Sequence, residues 1–108
     1  MRADVSVIMP VLNEERHLRA AVDRVLAQSH PGELEVLLAV APSTDRTRGI
    51  AEELAAEDPH VVVLDNPTGA TPAGLNVAIG AARYDIIVRV DGHGELSEGY
   101  IATAVRLL

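Results

Sequence analysis

The chain contains no cysteine, lysine, tryptophan or phenylalanine. Without cysteine it can form no disulfide framework, no thiolate zinc site and no thiol nucleophile. Without lysine it has no Walker A loop, no Schiff base and no lysine general base. Aromatic residues make up 2% and the formal net charge is −7. An acidic chain with so few rings to stack on bases is a poor nucleic-acid binder, so no nucleic-acid partner is expected. No apolar run approaches the ~20 residues of a membrane-spanning helix. The start, Met1 to Val5, lacks the apolar stretch of a signal peptide. A cytoplasmic domain is therefore expected, one that segments outside this sequence could hold at the inner face of a membrane.

The 108 residues are 48% apolar. One domain is the natural count, and a chain of this size buries about two thirds of its unfolded surface. Its core must be built from Val, Leu, Ile and Ala. Four short apolar runs stand out: Val5–Met9, Leu34–Val40, Val61–Leu64 and Ile86–Val90. Continuous runs of this length, rich in β-branched residues, predict strands covered on both faces.

A helical stretch follows each run. Leu18, Ala21, Val22, Val25 and Leu26 share one face of the first, with Asn13 as its expected N-cap and Glu14 and Glu15 in its first turn. Ile50, Ala51, Leu54 and Ala55 share a face over 47–57, with Glu53 and Glu57 outside, and Ser43 and Asp45 suit the start of that helix. Thr71-Pro72 reads as N-cap then N1 of a third, with Leu75, Ala78, Ile79 and Ala82 as its buried stripe. A fourth is expected from Ser97, carrying Ile101, Ala104, Val105 and Leu108. The alternation of strands and helices predicts an α/β fold, a parallel sheet with helices on both faces. The last apolar stripe runs to Leu108 without a stop signal, so a longer protein is expected.

Open parallel sheets bind ligands beyond the carboxyl ends of their strands, where strand order reverses. The four segments to read are therefore Pro10–Glu15, Ala41–Asp45, Asp65–Thr71 and Asp91–Glu95. In the last, Asp91 and His93 lie two apart among glycines that allow close backbone approach. An oxygen and an imidazole together suit Mn²⁺ or Mg²⁺ and the phosphates such an ion carries. The same residues also suit an ordinary solvent turn. Gly69 before a helix start is either a turn or an anion site. Asn76, among apolar neighbours, is expected to be buried and hydrogen-bonded. Arg89 inside an apolar strand must pair or face an opening. His17, His30 and His60 read as surface residues with nothing clustered around them.

Taken together, these segments resemble family 2 glycosyltransferases of the GT-A fold. Val5-Ser6-Val7-Ile8-Met9-Pro10-Val11-Leu12-Asn13-Glu14-Glu15 is similar to the family's opening strand and loop. Ser43-Thr44-Asp45-Arg46-Thr47 resembles the S-T-D-x-T after its second strand. Asn66-Pro67-Thr68-Gly69 and Ala73-Gly74-Leu75-Asn76-Val77-Ala78-Ile79 resemble its N-x-x-G and A-x-N-x-G/A segments. Asp91-Gly92-His93 falls where the family carries D-x-D. The variant looks most like the succinoglycan-type exopolysaccharide branch.

The resemblance implies a three-layer α/β/α fold, the Rossmann-like nucleotide-binding half of a GT-A domain, with strand order 3-2-1-4. It implies a nucleotide-diphosphate sugar as donor and a saccharide or lipid-linked acceptor. Pro10, Val11, Asn13 and Glu14 would line the nucleotide, with Gly69, Asn76 and Asp91. Asp91 and His93 would hold the metal and diphosphate. The acids often found after strand two are replaced by Ala41 and Pro42, so backbone groups near Ala41 would read the base. His93 in place of a carboxylate would weaken metal binding, further so below neutral pH. The general base is expected downstream of Leu108, which would make 1–108 about half of a catalytic domain, inactive alone. Its exposed sheet edge would then be open to self-association.

Other readings stand beside this one. A receiver-like signalling domain would use Asp65 at the end of strand three, although it would also need a lysine. A non-catalytic interaction domain or fragment is a third reading. A Rossmann dehydrogenase lacks its G-x-G-x-x-G after strand one.

Overall fold

The computed structural model describes residues 4–27 and 32–90. Within them lie four strands and three helices in strict alternation: β1 (Val5–Val11), α1 (Leu18–Leu26), β2 (Leu34–Val40), α2 (Thr47–Glu57), β3 (Val61–Asp65), α3 (Thr71–Ala81) and β4 (Ile86–Arg89). All strand pairs are parallel, in the order β3-β2-β1-β4. The expected fourth helix, together with Asp91, His93 and His30, lies outside the described residues.

Side chains alternate across the sheet, and each face has its own partner. Val5, Val7, Met9, Val11, Val36, Leu38 and Val40 form one buried cluster with Leu18, Ala21, Val22 and Val25 of α1 and Ala51 and Leu54 of α2. Ile8, Leu37 and Ala39 face the other way and meet Ala78 of α3, with Leu64, Leu75, Ala82 and Ile87 packed around them. The expected three layers are present. The central strands β1 and β2 are buried along nearly their whole length, whereas β3 and β4 are only partly covered. Each fully buried Val or Leu contributes about 1.5–3 kcal/mol, so most of the stability comes from the α1/α2 side.

The strand order disposes of the receiver-like reading. Those doubly wound domains run 2-1-3-4-5 with the third strand inside the sheet. Here β3 is an edge strand, and the Asp65 carboxylate is ion-paired with the Arg48 guanidinium.

Several local expectations are corrected. Helix α1 begins at Leu18 with His17 as its N-cap, and no acid lies in its first turn. Asn13 does not cap it; it adopts a left-handed backbone with φ of 49°. Thr71 is the first residue of α3, and Ala70 precedes it as N-cap. Ile79 is 39% exposed instead of buried. Asn76 is exposed, so it needs no internal partner. Arg89 is exposed, which bears out the expectation that it pairs or faces an opening. His60 is on the surface as expected, but it is not isolated: its Nδ1 lies 2.8 Å from Asp58 and its Nε2 4.0 Å from Glu33. No described helix is long and apolar enough to cross a membrane.

Candidate functional site

The strand order reverses at β1, which has β2 on one side and β4 on the other. The Val90 N–H donates to the Ile8 carbonyl at 3.0 Å, so the end of β4 lies against β1. Backbone groups two residues apart on a strand face the same neighbour. Pro10 therefore faces β4 as Ile8 does, but without an N–H to offer, and the ladder loses a donor there. Pro10 is half-buried and Val11 is 2% exposed. These two end β1, and the exposed Leu12 and Asn13 follow.

The β1–α1 loop is held by the loop after β2. The Asn13 N–H donates to Ser43 Oγ at 3.1 Å, the Glu14 N–H to Thr47 Oγ1 at 2.7 Å and the Glu15 N–H to Asp45 Oδ2 at 3.3 Å. In return, the Thr44 N–H donates to Asn13 Oδ1 at 2.9 Å. Asn tolerates a left-handed backbone better than most residues, and here its side-chain bond fixes it there. The network is anchored at Thr47, which is fully buried. The Thr47 hydroxyl donates to Asp45 Oδ1 and so leaves a lone pair for the Glu14 amide. The Thr47 N–H donates to the same Asp45 oxygen at 2.9 Å. These bonds, the Thr47 hydroxyl first and then the backbone N–H groups of Thr47 and Glu15, hold the Asp45 carboxyl below its ordinary value.

The consequence is chemical. In dinucleotide-binding folds the amides of the first loop cradle phosphate. Here three successive amides are committed to side chains, so phosphate charge must be met elsewhere. Ala41 is likewise committed. It is 3% exposed, its N–H donates to the Val11 carbonyl at 2.9 Å and its carbonyl accepts the Ser43 hydroxyl at 3.1 Å. One carbonyl lone pair remains to it.

The loop after β3 is organised around Asn66, which is 3% exposed. Its side chain donates to the Ala70 carbonyl at 3.0 Å and accepts the Thr68 hydroxyl at 3.2 Å, and its own carbonyl accepts the Gly69 N–H at 3.1 Å. Gly69 sits at φ of 75°, a conformation that glycine adopts without strain. Gly74 lets α3 close on this loop, since a Cβ there would stand 2.8 Å from Asn66 Nδ2.

The structure thus gathers Pro10, Val11, Asn13, Glu14 and Ala41 at one end of the sheet. Gly69 lies in the loop that follows β3 at the same end, and Asn76 is on the exposed side of α3. Sequence reading missed Thr47 and Asn66 as anchors. The signal was present, since both are polar residues within short motifs that the resemblance had already marked.

A second polar group was missed at the opposite end. Ser6 and Glu35 are register partners, 0% and 5% exposed. The Ser6 hydroxyl donates to Glu35 Oε2 at 2.6 Å. The same oxygen accepts the Arg83 N–H at 2.7 Å, and Ser6 Oγ accepts the Tyr84 N–H at 3.2 Å. A carboxylate inside an apolar run was the available sign.

The parallel β3-β2-β1-β4 sheet, with its switch point at β1 and helices on both faces, defines an open α/β fold of the doubly wound class. The chain belongs to Glycosyl transferase family 2, whose profile matches residues 6–108. It is 38% identical over 96 residues to the succinoglycan biosynthesis protein ExoA of Rhizobium meliloti, covering 87% of this chain and 29% of that protein. Among solved structures it is similar to the mannosyltransferase PcManGT of Pyrobaculum calidifontis in complex with GDP-Man and Mn²⁺, with 28% identity and a TM-score of 0.75, over 86% of this chain and 28% of that one. It is also similar to S. aureus TarS 1-349 in complex with UDP, with 27% identity and a TM-score of 0.73, over 86% of this chain and 28% of that one. The chain spans less than a third of the length of each.

Proposed function

We propose that this chain supplies the donor-binding part of a glycosyltransferase that moves a sugar from a nucleotide diphosphate to a hydroxyl acceptor. One observation carries the reading: β4 runs parallel beside β1 and ends against it at Val90, one residue before Asp91. The nucleotide would lie along Pro10, Val11, Asn13 and Glu14, with Ala41, Gly69 and Asn76 at its margin. The nucleotide sugars bound by similar proteins support this donor class.

Among the described residues no three His, Asp or Glu side chains are grouped to hold an ion. A divalent ion would rest on Asp91 and His93, as the resemblance implies, since their oxygen and nitrogen suit Mn²⁺ or Mg²⁺. Bound there, it would supply positive charge for the leaving diphosphate. The chain's own part is to orient the donor, because its first loop is fixed by Ser43, Asp45 and Thr47. The acceptor oxygen would form a bond to the anomeric carbon as the bond to the diphosphate breaks. The acceptor's proton would pass to a base outside residues 1–108. A saccharide or lipid-linked acceptor and a cytoplasmic site of action at the membrane's inner face belong to the same proposal.

Calorimetric titration of the whole protein with UDP-, GDP- and TDP-sugars, with and without Mn²⁺, tests it. Heat with one nucleotide that depends on the metal is expected. No heat with any of them, metal present, overturns it.

A further inference from the structure

We infer that Thr47 and Asp45 are positioning residues for the donor, holding the β1–α1 loop in its binding shape from the connection between β2 and α2. The inference rests on the donor-binding reading above. The resemblance places neither residue against the nucleotide. Both act through the backbone of Glu14 and Glu15. Thr47 is the hub: fully buried, it gives its hydroxyl hydrogen to Asp45 and takes the Glu14 amide. Asp45 divides its oxygens between two loops, one toward Thr47 and one toward the Glu15 amide. Nothing else in the β1–α1 loop is regular structure. Residues 12–17 form turns with an asparagine at positive φ, a backbone that needs outside support. A loop held in one shape before binding loses less entropy when the ligand arrives.

The chemistry predicts an ordered set of effects. A serine at 47 retains both hydrogen bonds, whereas valine has the same shape and retains neither. Asparagine at 45 replaces one acceptor with a donor that opposes the Glu15 amide. Ser43 and Asn13 form the outer part of the lock on the exposed side, so they cannot substitute for a hub lost from beneath.

The test uses the whole protein titrated with UDP and with GDP in the presence of Mn²⁺, alongside hydrogen exchange of the peptide spanning 12–16. Thr47→Val and Asp45→Asn should weaken nucleotide binding about tenfold, the value of one or two lost hydrogen bonds. Both should speed exchange at 12–16 while the β2 amides keep their protection. Thr47→Ser should stay within about twofold of the parent in both readouts. Unchanged affinity in Thr47→Val and Asp45→Asn overturns the inference, as does exchange that accelerates equally across the sheet. A parent protein that binds neither nucleotide, nor TDP in the same titration, overturns the donor reading itself, and this inference with it.

Discussion

The two ends of the sheet solve the same problem in different surroundings. At the amino end, Glu35 accepts the Ser6 hydroxyl and the Arg83 amide, and so fastens the α3–β4 connection to the strands. At the carboxyl end, Asp45 accepts from Thr47 and from the Glu15 amide, and so fastens one loop to another. Glu35 is 5% exposed and inside a strand, whereas Asp45 is half-buried in the loop between β2 and α2. A buried carboxylate cannot be removed without stranding its donors, so it contributes to stability. Asp45 ties the buried Thr47 to the exposed Glu15 amide of another loop, so it contributes to the shape of that loop as well as to stability. The difference separates the end that holds the fold from the end that is available for a ligand.

The largest break is expected at the amino end. Glu35→Ala strands the Ser6 hydroxyl and the Arg83 amide, and should cost about 3 kcal/mol in chemical denaturation. Nucleotide affinity of the folded protein should stay within about twofold of the parent. A loss of affinity at unchanged stability would erase the distinction between the ends. Next comes Gly74→Ala, whose Cβ would press on the buried Asn66 amide. Alanine's helix preference offsets part of the strain, leaving about 1 kcal/mol of destabilisation measured by the urea midpoint.

The acid limb of the stability curve sharpens the comparison further. The Asp45 carboxyl titrates below its ordinary value in the fold, chiefly because of the Thr47 hydroxyl bond. Its stabilising effect is therefore complete above the ordinary aspartate range near pH 4, and fades as pH falls through the lower folded value. Asp45→Ala should flatten thermal stability in the acid range below about pH 4. An unchanged acid limb would mean that the lock is not formed in solution. The smallest effect is expected where exposed charges pair across α1 and α2. Arg19 contacts Glu57 at 3.0 Å and Glu53 at 3.4 Å, with all three side chains well exposed. Arg19→Ala should barely move Tm, and what shift there is should vanish in high salt.

The sequence carried the element order, the faces and the ends. Helix α2 falls on the expected residues 47–57, and the buried faces of α1 and α2 follow the apolar spacing. Those features depend on neighbours three or four residues apart, which a linear reading sees. It also marked Pro10, Val11, Asn13 and Glu14 as strand-end residues, because a parallel sheet puts the ends of its strands together. It could not tell what Asn13, Ser43, Asp45 and Thr47 do there. Short polar side chains before a helix look the same whether they cap their own helix or hold another loop. Only tertiary structure brings Asn13 to Ser43 and Thr44, and Glu14 to Thr47, across 30 residues or more. The same holds for Glu35, whose place in an apolar run makes sense only beside Ser6 on the next strand and the loop that closes over both. Local spacing sets which residues form strands and helices, but a hydrogen bond between distant loops depends on the register of the whole sheet.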